Sequence, residues 1–301
     1  MLKETVDALN VKPGGIYADL TSGRGGHSAE LLSRLGEEGR LICFDRDPDA
    51  IRVLNERFGS DKRVTVVHDR FSNLRAQLDS MEIEAVDGIL ADLGVSSRQL
   101  DTPERGFSFH NDGAPLDMRM SQEGRTAADI VNTYSAQQLA DIFFRYGEEK
   151  FSKRIAALIV KYREDKPIQT AGELVEIIKE GIPAAARRTG GHPARRVFQA
   201  LRIETNGELD ELNGTLEEMF DSLKQCGRIS ILTFHSLEDR AVKQFFASMC
   251  KGCDCPPSAP ICTCGKKPRG RLVFKSITAC QQELEENPRS HSARLRCIEK
   301  L

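Results

Sequence analysis

Residues 15 to 100 alternate short apolar runs with amphipathic ones, and this alternation restricts the fold more than any other feature. "GIYADL", "RLICFDRDP", "VTVVHD" and "VDGILADLG" read as strands, and "HSAELLSRLG" and "DAIRVLNERFG", closed by Gly36 and Gly59, read as helices between them. Strands separated by single helices require a parallel sheet with right-handed crossovers, an α/β architecture. From about 104 to 206 the strand signals stop. Three capping-box patterns start helices there: Thr126-x-x-Asp129, Ser135-x-x-Gln138 and Thr170-x-x-Glu173. "DIFFRYGEEKFSKRIAALIVKYRED" reads as two helices around Gly147, stopped before Pro167. "LDELNGTLEEMFDSLKQCG" is then a further helix, and "RISILTF" resumes the sheet. The expected organisation is one α/β domain over 1–103 and 207–301, interrupted by an inserted helical domain at 104–206.

The first strand runs into Gly23, Gly25 and Gly26 and then into a helix, in "YADLTSGRGGHSAELL". Glycines cluster where the backbone needs positive φ or close approach by a ligand. A strand, a glycine turn and a helix N-terminus form a nucleotide-type site, although a plain structural turn has the same pattern. Asp45 ends the second strand 19 positions after Gly26, where an acid accepts hydrogen bonds from ribose hydroxyls or simply caps the strand end. That much fits NAD, FAD or S-adenosylmethionine. Asp19 narrows the choice, because a carboxylate before the turn repels a pyrophosphate and favours a sulfonium and an ammonium. Ser28 stands where a dinucleotide fingerprint has its third glycine, no P-loop lysine follows, and Asp92 adds another acid at the end of the fourth strand. Tyr162-x-x-x-Lys166 imitates a dehydrogenase pair but lies in the helical insertion, where a solvated helix end is the better reading.

Several motifs carry a resemblance over nearly the whole chain: "TSGRGGHS", "FDRDPDA", "DRFSNL", "GILADLGVSSRQLD", "RGFSF", "PLDMRM", "FQALRI", "NGELDEL" and "FHSLEDR", in this order. With them the sequence strongly resembles the 16S ribosomal RNA cytosine-N4 methyltransferases (RsmH, also called MraW). The resemblance implies a class I (Rossmann-like) S-adenosylmethionine-dependent methyltransferase sheet with a helical insertion. It implies S-adenosylmethionine as methyl donor and the exocyclic amine of one cytosine near the ribosomal P site as acceptor, within the small ribosomal subunit. The residues matching the family's cofactor contacts are Gly25, Gly26, His27, Asp45, Phe71, Asp92 and Gln99. Phe71 follows the third strand, a place for a ring against adenine; without the resemblance it reads as core. Family members usually carry a His-x-x-Val segment ahead of residues like "LLKETVDAL", and here Met1 stands almost inside that motif. The expectation is that a shortened start impairs the substrate side, and the tail likewise stops abruptly at "RCIEKL".

Cytosine N4 is a weak nucleophile, because its lone pair is delocalised into the ring. The enzyme must hold an N–H by an acceptor, align the nitrogen with the methyl group and take up a proton. "DLGVSS" replaces the Asp/Asn-Pro-Pro-Tyr/Phe loop of many amine methyltransferases, so other groups must serve. Asp92 and Asp117 are the first candidates, with Arg119 either orienting the substrate or pairing with Asp117. His235 and Ser236, at the end of the last strand, are the next, against the reading that Ser236-x-x-Asp239 is a capping box. Methylation at cytosine C5 needs a cysteine nucleophile, usually after proline, and no Pro-Cys dipeptide occurs.

Net charge is only −2, so an RNA partner has to be met by local patches. "AARRTGGHPARRVFQALR" carries Arg187, Arg188, Arg195, Arg196 and Arg202 without an acid, and "GKKPRGRLVFK" and "NPRSHSARLR" are further basic stretches; each is either a phosphate grip or a solvated, ion-paired face. Five of the nine cysteines fall between Cys250 and Cys264. Cys253, Cys255, Cys262 and Cys264 form two Cys-x-Cys pairs that match a structural zinc site, reduced thiols or a redox pair. No apolar run reaches the ~18 residues of a membrane span, and the N-terminus lacks a signal-peptide core, so the expected location is cytoplasmic. The expected partners are 16S rRNA and a second copy in a homodimer, with no membrane. The competing functions are a non-catalytic RNA-binding assembly factor that keeps the cofactor fold, and a methyltransferase of a small molecule or protein.

Overall fold

The computed structural model describes residues 1–188, 191–253, 255, 261 and 264–301. The chain divides into two compact units, Met1–Gly94 with Leu209–Leu301, and Val95–Glu208.

The first unit begins with α1 (Leu2–Ala8), β1 (Ile16–Asp19), α2 (Gly26–Arg34), β2 (Arg40–Asp45), α3 (Pro48–Phe58), β3 (Val64–His68), α4 (Leu74–Ser80) and β4 (Val86–Asp92). The second unit holds α5 (Ser97–Asp101), α6 (Ala127–Thr133), α7 (Ala136–Arg145), α8 (Ser152–Asp165), α9 (Ala171–Gly181), α10 (Ala184–Arg187) and α11 (Arg195–Asn206). The chain then returns through α12 (Glu208–Asp221), β5 (Leu223–Thr233), α13 (Ser236–Met249), β6 (Gly270–Thr278), α14 (Gln281–Glu286) and β7 (Arg294–Lys300).

The seven strands form one sheet in the order β3-β2-β1-β4-β5-β7-β6. This is the class I methyltransferase sheet. Neighbours among β1 to β5 pair in parallel, whereas β7 is antiparallel to both β5 and β6. The parallel pairing expected of the strands before residue 100 is present, and the antiparallel pair at the C-terminal edge adds to it. The two basic stretches "GKKPRGRLVFK" and "NPRSHSARLR" run into strands there, and their arginines are in part ion-paired: Arg271 with Glu299 at 2.7 Å and Arg296 with Asp239 at 2.7 Å. β6 is the edge strand of the sheet and is exposed along most of its length.

Alternation along the strands puts residues on opposite faces. Tyr17, Leu41, Cys43 and Leu90 pack in one buried cluster with Leu31, Leu54 and Phe58 of the helices. Ala18, Ile42, Phe44, Ile89 and Ala91 pack in another, with Leu74, Leu212 and Phe246. A sheet covered on both faces offers ligands only its edge, and the strand order reverses between β1 and β4, so the crevice lies at their carboxyl ends.

The second unit has its own core, with Leu116, Met118, Ile130, Phe143, Ile159, Ile178 and Leu201 among its buried residues. All three capping boxes read from the sequence form. Tyr162 and Lys166 are tied to Glu180 and Glu173. No helix among the described residues is long and apolar enough to cross a membrane.

"PLDMRM" is a buried turn in which Met118 adopts φ 59°. Asn206, itself buried, accepts from the Met120 N–H at 2.8 Å and donates to the Met118 carbonyl at 2.7 Å. Asn206→Ala withdraws both partners from a buried backbone and is expected to lower stability by about 2–3 kcal/mol in urea denaturation. An unchanged midpoint would show that water replaces the amide.

Candidate active site

The glycine turn is fastened to the strands on both sides of β1. Ser22 N–H donates to the Phe44 carbonyl at 2.9 Å and Leu20 N–H to the Leu90 carbonyl at 2.9 Å. Gly23 N–H donates to Asp45 Oδ2 at 2.7 Å, and Asp47 N–H donates to Asp45 Oδ1 at 2.8 Å. Asp45 thus organises the turn while each oxygen keeps a second lone pair for a ligand. Gly25, at φ 76°, caps α2 in the left-handed region, and a Cβ there would stand 2.5 Å from Phe58 Cε2. Gly23 also has positive φ, whereas Gly26 is simply the first residue of α2.

Asp19 is wholly buried. Its Oδ2 accepts from the Ser28 hydroxyl at 2.6 Å, and its Oδ1 from Thr21 N–H at 3.3 Å. Burial pushes its carboxyl up to about 6, against the pull of the Ser28 hydrogen bond. Ser28, which looked like a mere absence of glycine, is the residue that makes a buried acid tolerable. Across the switch point, the Asp92 N–H donates to Thr21 Oγ1 at 2.6 Å. Burial pushes the Asp92 carboxyl up to about 7, and the charge of Asp19 adds to the effect. His27 Nδ1 lies 3.5 Å from Asp92 Oδ2; burial lowers this imidazole to about 4, so the pair is not an ion pair at neutral pH. His27 Nε2 and Asp92 Oδ1 are buried without a hydrogen-bond partner. Orphaned buried polar atoms are rare in finished interiors and mark a place for a ligand.

Phe71 sits in a single 3-10 turn after β3, half-buried against the apolar cluster beneath it. That turn and the end of β2 are fixed by Glu211 of α12, which is buried and receives Arg70 Nη2 at 2.8 Å and Arg46 Nη1 at 3.3 Å. Sequence reasoning gave Glu211 no role. The available signal was a carboxylate one and two helical turns from Thr215 and Met219, on the apolar stripe of an otherwise amphipathic helix.

The site can hold a cationic, ribose-bearing ligand: acids at the ends of β1, β2 and β4, a backbone free of Cβ atoms in the turn, and unpartnered polar atoms beside them. The sequence model of the MraW methylase family matches residues 1–301. The chain belongs to that family. Three solved structures resemble this MraW-family methylase distantly. A Clostridium thermocellum protein provisionally described as an rRNA methylase is 15% identical at TM-score 0.48, covering 100% of this chain and 97% of its own. A Streptococcus mutans protein provisionally described as a methyltransferase, in complex with SAH, is 12% identical at TM-score 0.44, covering 100% and 97%. An rRNA methylase from Streptococcus thermophilus is 12% identical at TM-score 0.41, covering 100% and 93%. Likenesses this distant add nothing to the family assignment.

The remaining candidates of this MraW-family chain are more committed. α13 begins one residue earlier than the Ser236-x-x-Asp239 reading requires. His235 is its N-cap: Nδ1 accepts from Glu238 N–H at 3.4 Å, while Glu238 Oε2 accepts from the Phe234 and His235 N–H groups at 2.9 and 3.3 Å. Its Nε2 stands 3.0 Å from Glu238 Oε1 but makes no hydrogen bond, so it is a buried orphan like His27 Nε2 and Asp92 Oδ1. The capping box is therefore His235 with Glu238, because Asp239 is drawn off into the fork of Arg296 at 2.7 and 3.0 Å. Ser236 is the exposed first residue of α13. In the second unit, Asp117 forms a forked pair with Arg119 at 2.7 and 3.0 Å and also receives its N–H at 2.9 Å. Gln99 is buried and completes the capping box of α5, accepting from Ser96 N–H at 2.9 Å. Cys253, Cys255 and Cys264 lie together, and Cys262 falls outside the described residues.

An acid raised by burial makes the folded state poorer as pH climbs. Asp92 shifts from about 4 when unfolded to about 7 when folded, so its cost develops between those values and is complete above them. Asp92→Asn is expected to raise the unfolding free energy by about 1–2 kcal/mol at pH 8, the gain fading towards pH 4. A loss of stability at pH 8 in urea titration would contradict a buried, uncompensated carboxylate.

Proposed function

We propose that this MraW-family methylase transfers the methyl group of S-adenosylmethionine to the exocyclic N4 of a cytosine in 16S rRNA, near the P site of the small ribosomal subunit. The observation that carries the reading is the buried Asp92 oxygen without a partner, at the switch point of a methyltransferase sheet. S-adenosylmethionine supplies an electrophilic methyl group on a sulfonium. Gly25, Gly26 and His27 let it approach the backbone, Asp45 accepts its ribose hydroxyls, and Phe71 covers its adenine. Gln99 is a further proposed cofactor contact. The carboxylates of Asp19 and Asp92 favour its positive charge over the phosphates of a dinucleotide.

At the acceptor, the N4 lone pair forms the new N–C bond as the C–S pair returns to sulfur, and one N–H proton must leave. Asp92 is the proposed acceptor that holds this N–H: its carboxyl is poised near neutrality and one oxygen is unengaged. Asp117 is spent on Arg119, and Nδ1 of His235 on the cap of α13, so in this scheme both serve the scaffold. Ser236, exposed at the start of α13, is left as a substrate contact. The helical segment 104–206 is proposed to face the RNA. Arg187, Arg188, Arg195 and Arg196 are exposed there, and among the described residues none of them is paired with an acid; Arg202, by contrast, is tied to Glu208 at 2.9 Å.

The decisive test incubates the protein and labelled S-adenosylmethionine with small subunits that lack the modification, then digests the rRNA to nucleosides. N4-methylcytidine carrying the label is expected; label on C5, on another nucleoside or on protein refutes the assignment. For the RNA surface, Arg195→Glu with Arg196→Glu is expected to weaken binding and reduce the slope of log K against log salt by about 1–2. An unchanged slope returns the strip to a structural role.

A further inference from the structure

The chain between α13 and β6 gathers three thiols. α13 starts at the carboxyl edge of the sheet and runs 14 residues from it, about 21 Å, so this cluster stands apart from the acids at the switch point. The sulfurs of Cys253, Cys255 and Cys264 lie within 4.8 Å of one another. Cys253 and Cys264 are 3.8 Å apart, sulfur to sulfur. A disulfide would require about 2.05 Å. A zinc ion with thiolates at about 2.3 Å in tetrahedral array places its sulfurs about 3.8 Å apart.

The surrounding backbone suits an ion as well. The Cys255 N–H donates to the Cys253 sulfur at 3.3 Å, which favours the thiolate. Gly265, directly after Cys264, turns the chain at φ 62°. At the base of the loop, Arg269 N–H donates to the Met249 carbonyl at 2.9 Å, and Gly252 is packed so closely that a Cβ would stand 3.1 Å from Pro268 Cδ. The two arms that bear the cysteines are thus joined below the cluster. Among the described residues of the loop, Ile261 is 74% exposed, and residues 264 to 269 are exposed.

We infer that the loop is a structural zinc site, with the thiolates of Cys253, Cys255 and Cys264 as three ligands of one ion. An all-sulfur set selects zinc or iron–sulfur centres. The tight spacing fits a single ion, since ligands that enclose several irons must stand farther apart. The ion clasps the end of α13 to the start of β6.

Protein purified without added metal or chelator is expected to carry about one zinc per chain by mass spectrometry. Cys253→Ser with Cys264→Ser is expected to fall below about one-tenth of that, with helix content by circular dichroism unchanged. Cobalt exchanged into the wild-type protein is expected to show thiolate charge-transfer bands and the strong visible bands of a tetrahedral site, a readout that does not depend on the variant folding. Wild-type protein without zinc whose thiols react fully, iron in place of zinc, or full zinc content in the double variant would each overturn the site.

Discussion

Two carboxylates on neighbouring parallel strands set the chemistry of this protein. Asp19 and Asp92 end β1 and β4, where the sheet order reverses, and each is raised well above the usual range by burial, with Asp19 adding to the shift at Asp92. Charge held out of water is costly unless an opposite charge joins it. Ser28 and the Thr21 amide meet part of the cost at Asp19. At Asp92 one oxygen has no hydrogen-bond partner, and in the proposed reading a cationic ligand would offset part of that cost.

The remaining contacts at the rim separate groups that hold the scaffold from groups left available. Asp45 stitches the glycine turn to β2, Glu211 gathers Arg46 and Arg70 behind Phe71, and His235 caps α13 through Nδ1 while its Nε2 makes no hydrogen bond. Residue type alone would make His235 the stronger candidate for proton transfer. Its capping contact favours Asp92 in the proposed scheme.

The second unit follows the same logic of committed polar groups. Four of its helices, α5, α6, α7 and α9, begin at capping boxes, its "PLDMRM" turn is pinned by Asn206, and Asp117 is held in the fork of Arg119. The arginines at 187, 188, 195 and 196 are the exception: they are exposed and lack acidic partners among the described residues. A basic strip on a chain of net charge −2 is the feature on which the proposed RNA contact rests.

Local pattern determined a great deal by itself. The four strands before residue 95, α2 and α3 between them, the three capping boxes and the glycine turn depend on contacts between near neighbours, and they were legible. So was the position of the acids, because a strand's end and the next helix's start locate a residue on the sheet edge. Only the folded chain decided which acid is free. Ser28 reaches Asp19, Asp239 leaves Ser236 for Arg296, and Glu211 crosses from α12 to the loops after β2 and β3. β6 and β7 were hidden among basic residues because their pairing is made with each other and with β5, far away in sequence. Hydrogen bonds and burial depend on which groups meet in space, and a linear pattern records only those that meet within a few residues.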